Sequence, residues 1–138
     1  TYLALDFNSS FVLSNRKRGI KARFHNALCD PVPAADYVVM SSSFYHFRNC
    51  EDEVFARLCQ AARRAVVLCE PVRNLSSHRF SPLAKLANRL TNPGIGDYRF
   101  RHSLETFRAF CDRHDADVFE HHGSFAYAVF SLDKNDSE

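Results

Sequence analysis

The sequence predicts an α/β domain built on a mostly parallel sheet, with an antiparallel last strand and helices on both faces. Short apolar runs alternate with helical patterns along most of the 138 residues, which is typical of layered α/β domains. One run, residues 65–69, is apolar throughout, as expected for a parallel strand buried on both faces. Near the end of the chain, two further runs flank His122, Gly123 and Ser124, which predict a tight hairpin turn.

The first half of the chain predicts three strands and two helices. The strands are expected at residues 2–6, 20–24 and 36–41. A short helix is expected at residues 10–18, and Gly19 suits the left-handed position that follows many helices. The second helix has three acidic residues in its first turn, starting at Glu51, and Arg63 and Arg64 in its last. This charge arrangement complements the helix dipole at both ends.

The second half predicts one more buried strand, two helices and the closing hairpin. A helix begins at Pro82, in the first-turn position that proline favours, and ends before Pro93. Ser103 is a suitable N-cap for the next helix. The hairpin joins residues 117–121 to residues 125–132. These elements complete the predicted sheet.

Composition is that of an ordinary globular protein. The hydrophobic fraction of 46% excludes a disordered chain, and the net charge of +2 does not favour a nucleic-acid partner. The five cysteines form no zinc-binding spacing and indicate reduced thiols in a cytoplasmic protein without a metal site. No apolar run approaches the roughly 20 residues that span a bilayer. We expect one incomplete domain at residues 1–132, followed by a polar tail at residues 133–138.

The first predicted strand ends in a carboxylate, that of Asp6. In nucleotide-binding α/β domains, an acid at the tip of a buried strand binds a ribose diol. Such domains place a glycine-rich turn one strand earlier. The sequence begins too late to contain that turn, so we expect the chain to be the later part of such a domain.

Six short segments stand in an order and spacing that match one family. They are DFNSS from Asp6, RGIKARF from Arg18, DYVVM from Asp36, FYHF from Phe44, LCEP from Leu68 and FAYAVF from Phe125. Together they resemble the class I S-adenosylmethionine-dependent methyltransferases, from that family's second strand to its seventh. The resemblance implies a Rossmann-like fold, truncated at the N-terminus so that the first strand and its glycine-rich loop are absent.

The resemblance also implies that S-adenosylmethionine is the cofactor. Asp6 would accept hydrogen bonds from both ribose hydroxyls, because a carboxylate can take two donors at once. The alternative is an acid at a helix N-terminus whose oxygens are satisfied by backbone amides. Phe7 would lie beside the adenine, or would pack in the core.

The loop after the second strand would contact the adenine edge. Asn26 stands where the family has a side chain that binds the adenine amino group, and its carbonyl can accept that bond. The Ala27 amide would bind the ring nitrogen. Asp30 is the alternative contact, and both polar residues also suit a turn before Pro31.

The end of the third strand would lie beside the sulfonium. Ser41 and Ser42 are small enough for the backbone to approach the cofactor there, at the carboxyl edge where open α/β sheets bind ligands; a polar loop is the alternative. Tyr45 and His46 follow, and His46 could deprotonate an acceptor hydroxyl or amine. The alternative for His46 is a packing role.

Three other sites have weaker patterns. Glu70, at the end of the buried strand, would orient a substrate or be solvated. The aromatic and basic loop at residues 98–102 would form a substrate wall, or simply be exposed. His121 and His122 point to opposite faces of a strand, and no third ligand has a suitable spacing, so no metal site is predicted.

The expected function is methyl transfer to a small-molecule acceptor, which depends largely on aligning acceptor, methyl group and sulfur. The alternative is a catalytically inactive, methyltransferase-like binding or scaffold domain. In the family, the missing first strand lies between the second and fourth, so the strands at residues 2–6 and 36–41 would have unpaired edges. We expect these strands to pair directly, or a second copy or a missing N-terminal segment to complete the sheet.

Overall fold

The computed structural model describes residues 1–72 and 100–132. The chain divides into two compact units, Thr1–Val32 and Pro33–Glu138. The predicted helix that begins at Pro82 and the predicted polar tail lie outside the described residues. In the described part of the chain, no helix has both the length and the apolar character to cross a membrane.

The first unit is a β-α-β element. Its parts are β1 (Ala4–Asp6), α1 (Ser9–Lys17) and β2 (Ala22–Phe24). The two strands are parallel, with Asp6 opposite Phe24. Asn8 begins the helix, since its side-chain oxygen accepts the Ser10 N–H at 2.9 Å. Gly19 follows the helix with a φ of 78°, which confirms the predicted left-handed position.

The second unit contains a four-stranded sheet. Its strands are β3 (Ala35–Ser41), β4 (Ala62–Pro71), β5 (Val118–His122) and β6 (Phe125–Ser131), in the order β3-β4-β6-β5. The first two strands are parallel, and β6 is antiparallel to both of its neighbours. Gly123 lies in the β5–β6 turn with a φ of 61°. The predicted antiparallel closing hairpin is therefore confirmed.

Two α-helices and one short 3-10 helix complete this unit. They are α2 (Glu51–Ala61), α3 (Leu104–Arg113) and the 3-10 helix Phe44–Phe47. Both α-helices pack on the same face of the sheet: the Phe55 ring lies 4.6 Å from that of Phe130, and the Phe107 ring 5.9 Å from that of Phe119. The predicted Ser103 cap is confirmed by a capping box that begins α3.

The boundary between α2 and β4 differs from the prediction. Ala62 is already extended, with a φ of −84° and a ψ of 137°, so Arg63 and Arg64 lie in the strand, and their assignment to the last helical turn is wrong. Pairing with β3 begins at Ala62, and the Arg63 guanidinium contacts the Asp36 carboxylate at 2.8 Å. Cross-strand pairing thus outweighs the fraction of a kcal/mol that basic residues gain at a helix C-terminus.

The two sheets leave open the edges that the family resemblance predicts. Among the described residues, β1 pairs only with β2, and β3 pairs only with β4. Direct pairing of β1 with β3, a second copy and a missing N-terminal segment stay the three predicted ways of completing the sheet. On β3, Tyr37 and Val39 are 58% and 61% exposed, so this strand presents apolar side chains as well as an open edge.

Candidate functional site

The carboxylate of Asp6 lies at the C-terminal tip of β1 and is half-buried. Its Oδ1 accepts the N–H of Asn8 at 2.7 Å, so the helix-terminus alternative is realised through one amide. An ionised carboxylate has about four acceptor positions on two oxygens. Asp6 therefore keeps the capacity to accept further donors, such as a pair of hydroxyls.

Phe7, next to this carboxylate, is half-buried and packs on the ring of Phe24 at a centroid distance of 4.9 Å. Phe24 itself is 54% exposed. The pair therefore forms an apolar surface at the ends of β1 and β2. Such a surface suits a planar ligand, and the assignment of Phe7 to the adenine stays a prediction.

The loop after β2 is a closed turn. The Asn26 side-chain carbonyl accepts the Leu28 N–H at 3.0 Å, and the Asn26 N–H donates to Asp30 Oδ2 at 2.8 Å. The turn alternative for both polar residues is thus realised. The Asn26 carbonyl oxygen retains a second lone pair. The Ala27 N–H takes part in none of the hydrogen bonds of this turn, as a contact with a ring nitrogen would require.

Sequence reasoning missed His25, which directly follows β2. The side chain is buried, and its Nε2 has no hydrogen-bond partner in the described part of the chain. Burial lowers the pKa of this imidazole, so the ring is neutral near pH 7. A buried polar atom of this kind normally has a partner, which adds His25 to the candidate residues of the first unit. A lone histidine at a strand end gives no sequence signal to distinguish it from a core residue.

In the second unit, the chain turns sharply after β3. Ser42 has a φ of 55°, in the left-handed region that costs a residue with a side chain about 1 kcal/mol. Its N–H donates to the carbonyl of Cys69 at 2.7 Å, and the Ser43 hydroxyl donates to the carbonyl of Ser41 at 3.2 Å. Backbone strain often occurs at functional sites, but the cofactor contacts of Ser41 and Ser42 stay predictions.

Glu70, near the end of β4, fixes the start of the 3-10 helix. Its Oε1 accepts the N–H groups of Ser43 and Phe44 at 3.1 and 2.9 Å, and its Oε2 accepts that of Tyr45 at 3.2 Å. The side chain has no exposed surface, so the solvated alternative is wrong, and a role in orienting a substrate stays a prediction. Burial raises the pKa of Glu70 to about 7, although the three N–H groups and Arg101 act in the opposite direction.

The 3-10 helix presents an aromatic and cationic cluster. Tyr45 and His46 are 5% and 8% exposed, and their rings lie 4.1 Å apart. The Arg101 guanidinium lies 3.8 Å from the centre of the Tyr45 ring. The described residues thus show a packing contact for His46, and its role as a general base stays a prediction. Burial raises the pKa of Tyr45.

The loop before α3 packs against the same part of the unit. The Arg48 guanidinium lies 4.4 Å from the Phe100 ring centre, and His102 is 2% exposed, with its ring stacked on Phe44 at 6.1 Å. The exposed-loop interpretation is therefore wrong for His102. Burial lowers the pKa of His102 to about 4, so this imidazole is neutral near pH 7. Residues 98 and 99 of the predicted wall lie outside the described residues.

Metal ligands do not cluster in the residues that the structure describes. His121 and His122 are consecutive residues of the β5 edge strand, and His122 Nε2 contacts the Glu120 carboxylate at 3.1 Å. No group of three or more potential ligands that could hold a metal ion is found in residues 1–72 and 100–132. All five cysteines are free.

Comparison by sequence identifies no relative: no protein family and no curated protein matches the chain. Solved structures do match its fold. Magnesium protoporphyrin IX methyltransferase from Synechocystis PCC 6803, with bound SAH, aligns with a TM-score of 0.59 and 11% identity over 94% of this chain and 63% of that one. The DhpI–SAM–HEP complex gives 0.62 and 12% identity over 92% and 66%. Human N-acetylserotonin methyltransferase with SAM gives 0.57 and 11% identity over 92% and 39%.

These likenesses establish the fold. The chain has the α/β fold of the class I S-adenosylmethionine-dependent methyltransferases, with the reversed last strand that the sequence predicts. It spans less than two thirds of the length of the first of these structures and 66% or less of each of the three. At 11 to 12% identity, the fold leaves activity and substrate open.

Proposed function

We propose that the protein is an S-adenosylmethionine-dependent methyltransferase domain that acts on a small-molecule acceptor. The main support is a half-buried carboxylate, Asp6, at the tip of a parallel strand in a chain with the class I methyltransferase fold. Open α/β sheets bind their ligands at this edge, and an acid there suits a ribose diol. Several structures with the same fold contain SAH or SAM.

In the first unit, the residues have separate roles. Asp6 accepts hydrogen bonds from the two ribose hydroxyls. Each hydrogen bond to the charged carboxylate contributes about 1.5–3 kcal/mol. Phe7 lies against the adenine. Asn26 uses the second lone pair of its carbonyl for the adenine amino group, and the Ala27 N–H donates to a ring nitrogen. The neutral imidazole of His25 supplies a further polar group beside this turn.

In the second unit, the residues act on the transferring methyl group and the acceptor. Ser41 and Ser42 let the backbone approach the sulfonium closely, because neither has a bulky side chain. His46 accepts a proton from an acceptor hydroxyl or amine, which becomes possible where the acceptor brings its polar atom to the ring. The sulfonium is already a strong electrophile, so the protein mainly aligns the reactants and excludes water.

A small organic acceptor is favoured by the neighbours in fold. OxaC was crystallised with oxaline, and an O-methyltransferase family 2 protein from Planctomyces limnophilus with apigenin. The near-neutral charge of this chain, +2, gives no support for a nucleic-acid acceptor. The free cysteines support a cytoplasmic location, where thiols stay reduced.

One observation favours a second candidate, a binding or scaffold domain that no longer transfers methyl groups. The Asn26 carbonyl, which would receive the adenine amino group, already accepts the Leu28 N–H at 3.0 Å. A carbonyl that already accepts one hydrogen bond has a single lone pair left for the adenine, which limits the geometry of cofactor binding and favours a domain that binds another ligand at this edge.

Calorimetry with S-adenosylhomocysteine tests the proposal. The unmodified protein is titrated beside Asp6→Ala and beside Asp112→Ala, which removes an exposed carboxylate of α3. Loss of the charged hydrogen bonds should weaken binding about 10- to 100-fold for Asp6→Ala, whereas Asp112→Ala should stay within twofold. Equal affinities for the two variants would contradict the assigned role of Asp6.

The same titration separates the two candidate functions. It is run on this chain and on one that includes any coding sequence upstream of Thr1, followed by an assay of methyl transfer to a panel of small phenols and amines. Binding with transfer supports the enzyme, and binding without transfer to any acceptor supports the scaffold domain. Absence of binding in both chains would contradict the methyltransferase proposal.

A further inference from the structure

The Glu70 carboxylate connects two parts of the chain that are distant in sequence. It lies in β4, and the three N–H groups that it accepts come from residues 25 to 27 positions earlier. Parallel pairing brings them together, since Ser41 at the end of β3 lies opposite Cys69. The carboxylate thus links the end of β4 to residues 41–47, which we call the 41–47 segment.

This carboxylate is also the N-terminal cap of the 3-10 helix. Ser43 occupies the cap position, but its side chain makes no capping hydrogen bond. Without Glu70, the N–H groups of Ser43, Phe44 and Tyr45 would be left without these acceptors at the start of a helix, where such groups need one. Phe44 has no exposed surface, so water has poor access to replace the carboxylate.

Among the described residues, two elements beside Glu70 carry charged or titratable groups. Tyr45 and His46 belong to the 3-10 helix, and Arg101 and His102 belong to the residues that precede α3. Arg101 is the cation whose charge acts on Glu70. Across the sheet, β6 presents Ala126 opposite Glu70. Within residues 1–72 and 100–132, the carboxylate accepts its hydrogen bonds from the three backbone N–H groups.

We propose that Glu70 is a positioning residue: its ionised carboxylate holds the 41–47 segment in the shape that binds cofactor and acceptor. The ligand identity rests on the proposed methyltransferase function, whereas the control of segment shape does not. Glu70 itself is fully buried and acts through Ser43 and the first residues of the 3-10 helix.

Protonation of the Glu70 carboxylate weakens its hold on the 41–47 segment. A carboxylate oxygen that gains a proton becomes a donor, and Oε2, with one N–H partner, is the oxygen that loses least. The Tyr45 N–H then faces a hydroxyl, which is a weaker acceptor than a carboxylate oxygen, and hydrogen bonds to the neutral carboxyl are about half as strong as those to the charged group. Because burial raises the pKa of Glu70 to about 7, this change occurs between pH 6 and pH 8.

Nuclear magnetic resonance tests the control of segment shape without any ligand. The amide shifts of Ser43, Phe44 and Tyr45 and the side-chain carboxyl carbon of Glu70 are followed from pH 5 to pH 8.5. All four shifts should change with pH around one midpoint near pH 7. In Glu70→Gln, the amide shifts should no longer show this transition, which we call the amide midpoint. Glu53→Gln, which changes an exposed glutamate of α2, should keep it. Amide shifts that do not move in the unmodified protein would overturn the proposal.

His46→Gln distinguishes the carboxylate from the neighbouring imidazole. If Glu70 is the titrating group, the amide midpoint remains in this variant. Loss of the midpoint would assign the titration to His46 and overturn the proposal. Thermal unfolding of each variant establishes that the compared proteins are folded.

Binding of S-adenosylhomocysteine gives the functional readout. If only the ionised form is competent, its fraction falls about tenfold from pH 8 to pH 6, and the apparent affinity falls by the same factor. Glu70→Gln should bind about tenfold more weakly at pH 8 and show a flat profile, while Glu53→Gln follows the unmodified protein. A pH-independent affinity in the unmodified protein, or a pH effect that persists in Glu70→Gln, would overturn the positioning role. Absence of binding throughout would contradict the proposed function, and the amide titration would still decide the role of Glu70.

Discussion

Two strands of this protein carry a carboxylate at or near the C-terminal end, and the two carboxylates differ in what they bind. At the tip of β1, Asp6 is half-buried and accepts one backbone N–H. Near the end of β4, Glu70 is fully buried and accepts three. The first carboxylate retains acceptor capacity for a ligand, whereas the second is committed to the fold.

The way in which the helix beside each carboxylate is capped explains the difference. After β1, Asn8 supplies the side-chain cap of α1, which leaves most of the Asp6 carboxylate unused. After β3, the 3-10 helix has no side-chain cap of its own, and the carboxylate of the neighbouring β4 serves in its place. An acid at a strand tip is therefore available to a ligand where another residue caps the nearby helix.

The largest effect should come from removing the buried carboxylate. Glu70→Ala leaves three N–H groups in the interior without acceptors, each costing about 1–3 kcal/mol, so we expect a loss of about 3–5 kcal/mol in the free energy of unfolding. Asp6→Ala should lose about 1 kcal/mol or less, because one hydrogen bond is involved. Urea denaturation measures both. Glu120→Ala, an exposed position of β5, should stay within about 0.5 kcal/mol; equal losses at Asp6 and Glu70 would remove the contrast.

The pH dependence of stability should also come from Glu70. Since its pKa rises from 4.5 to about 7 on folding, the folded protein holds the proton more tightly than the unfolded chain. The contribution of this group is fully present below pH 4.5 and is lost as the pH rises through about 7. Its size is on the order of 3 kcal/mol.

Denaturation at pH 5 and pH 8, with Glu70→Gln for comparison, measures this contribution. The difference in unfolding free energy between the unmodified protein and Glu70→Gln should fall from pH 5 to pH 8. A difference that rises with pH would mean that the ionised carboxylate is favoured by folding. If the difference falls as expected, Glu70 stabilises the fold least above pH 7, where its ionised form orders the 41–47 segment best. Such a trade of stability for function is common at functional sites.

The sequence allows the strand tips to be predicted but not the surroundings of their carboxylates. The apolar runs before Asp6 and Glu70 correctly indicated strands. The burial of Glu70 depends on N–H groups some 25 residues upstream, which local patterns do not register. Arg63 fitted a helix end by charge, yet strand pairing with β3 decided its position. His25 was missed because a buried, unpartnered nitrogen is a property of three-dimensional packing.

The smallest effect tests whether helix cap and ligand acid are separate at the tip of β1. Asn8→Ala removes the side-chain cap of α1 and should cost about 1 kcal/mol. The bond to Asp6 comes from the backbone N–H of residue 8, which alanine retains, so the affinity for S-adenosylhomocysteine should change less than twofold. Asn15→Ala, inside the same helix, should be neutral or slightly stabilising, because alanine has the higher helix propensity.

Calorimetry and urea denaturation on Asn8→Ala and Asp6→Ala decide whether the helix cap and the ligand acid are separate. If Asn8→Ala weakens binding as much as Asp6→Ala does, the cap and the acid act as one unit, and the carboxylate is held open by the helix it precedes. If stability falls while affinity is unchanged, the Asn8 side chain satisfies the helix and Asp6 is left for the ligand. The second outcome is expected, because the backbone donor and the side-chain acceptor of Asn8 serve different partners.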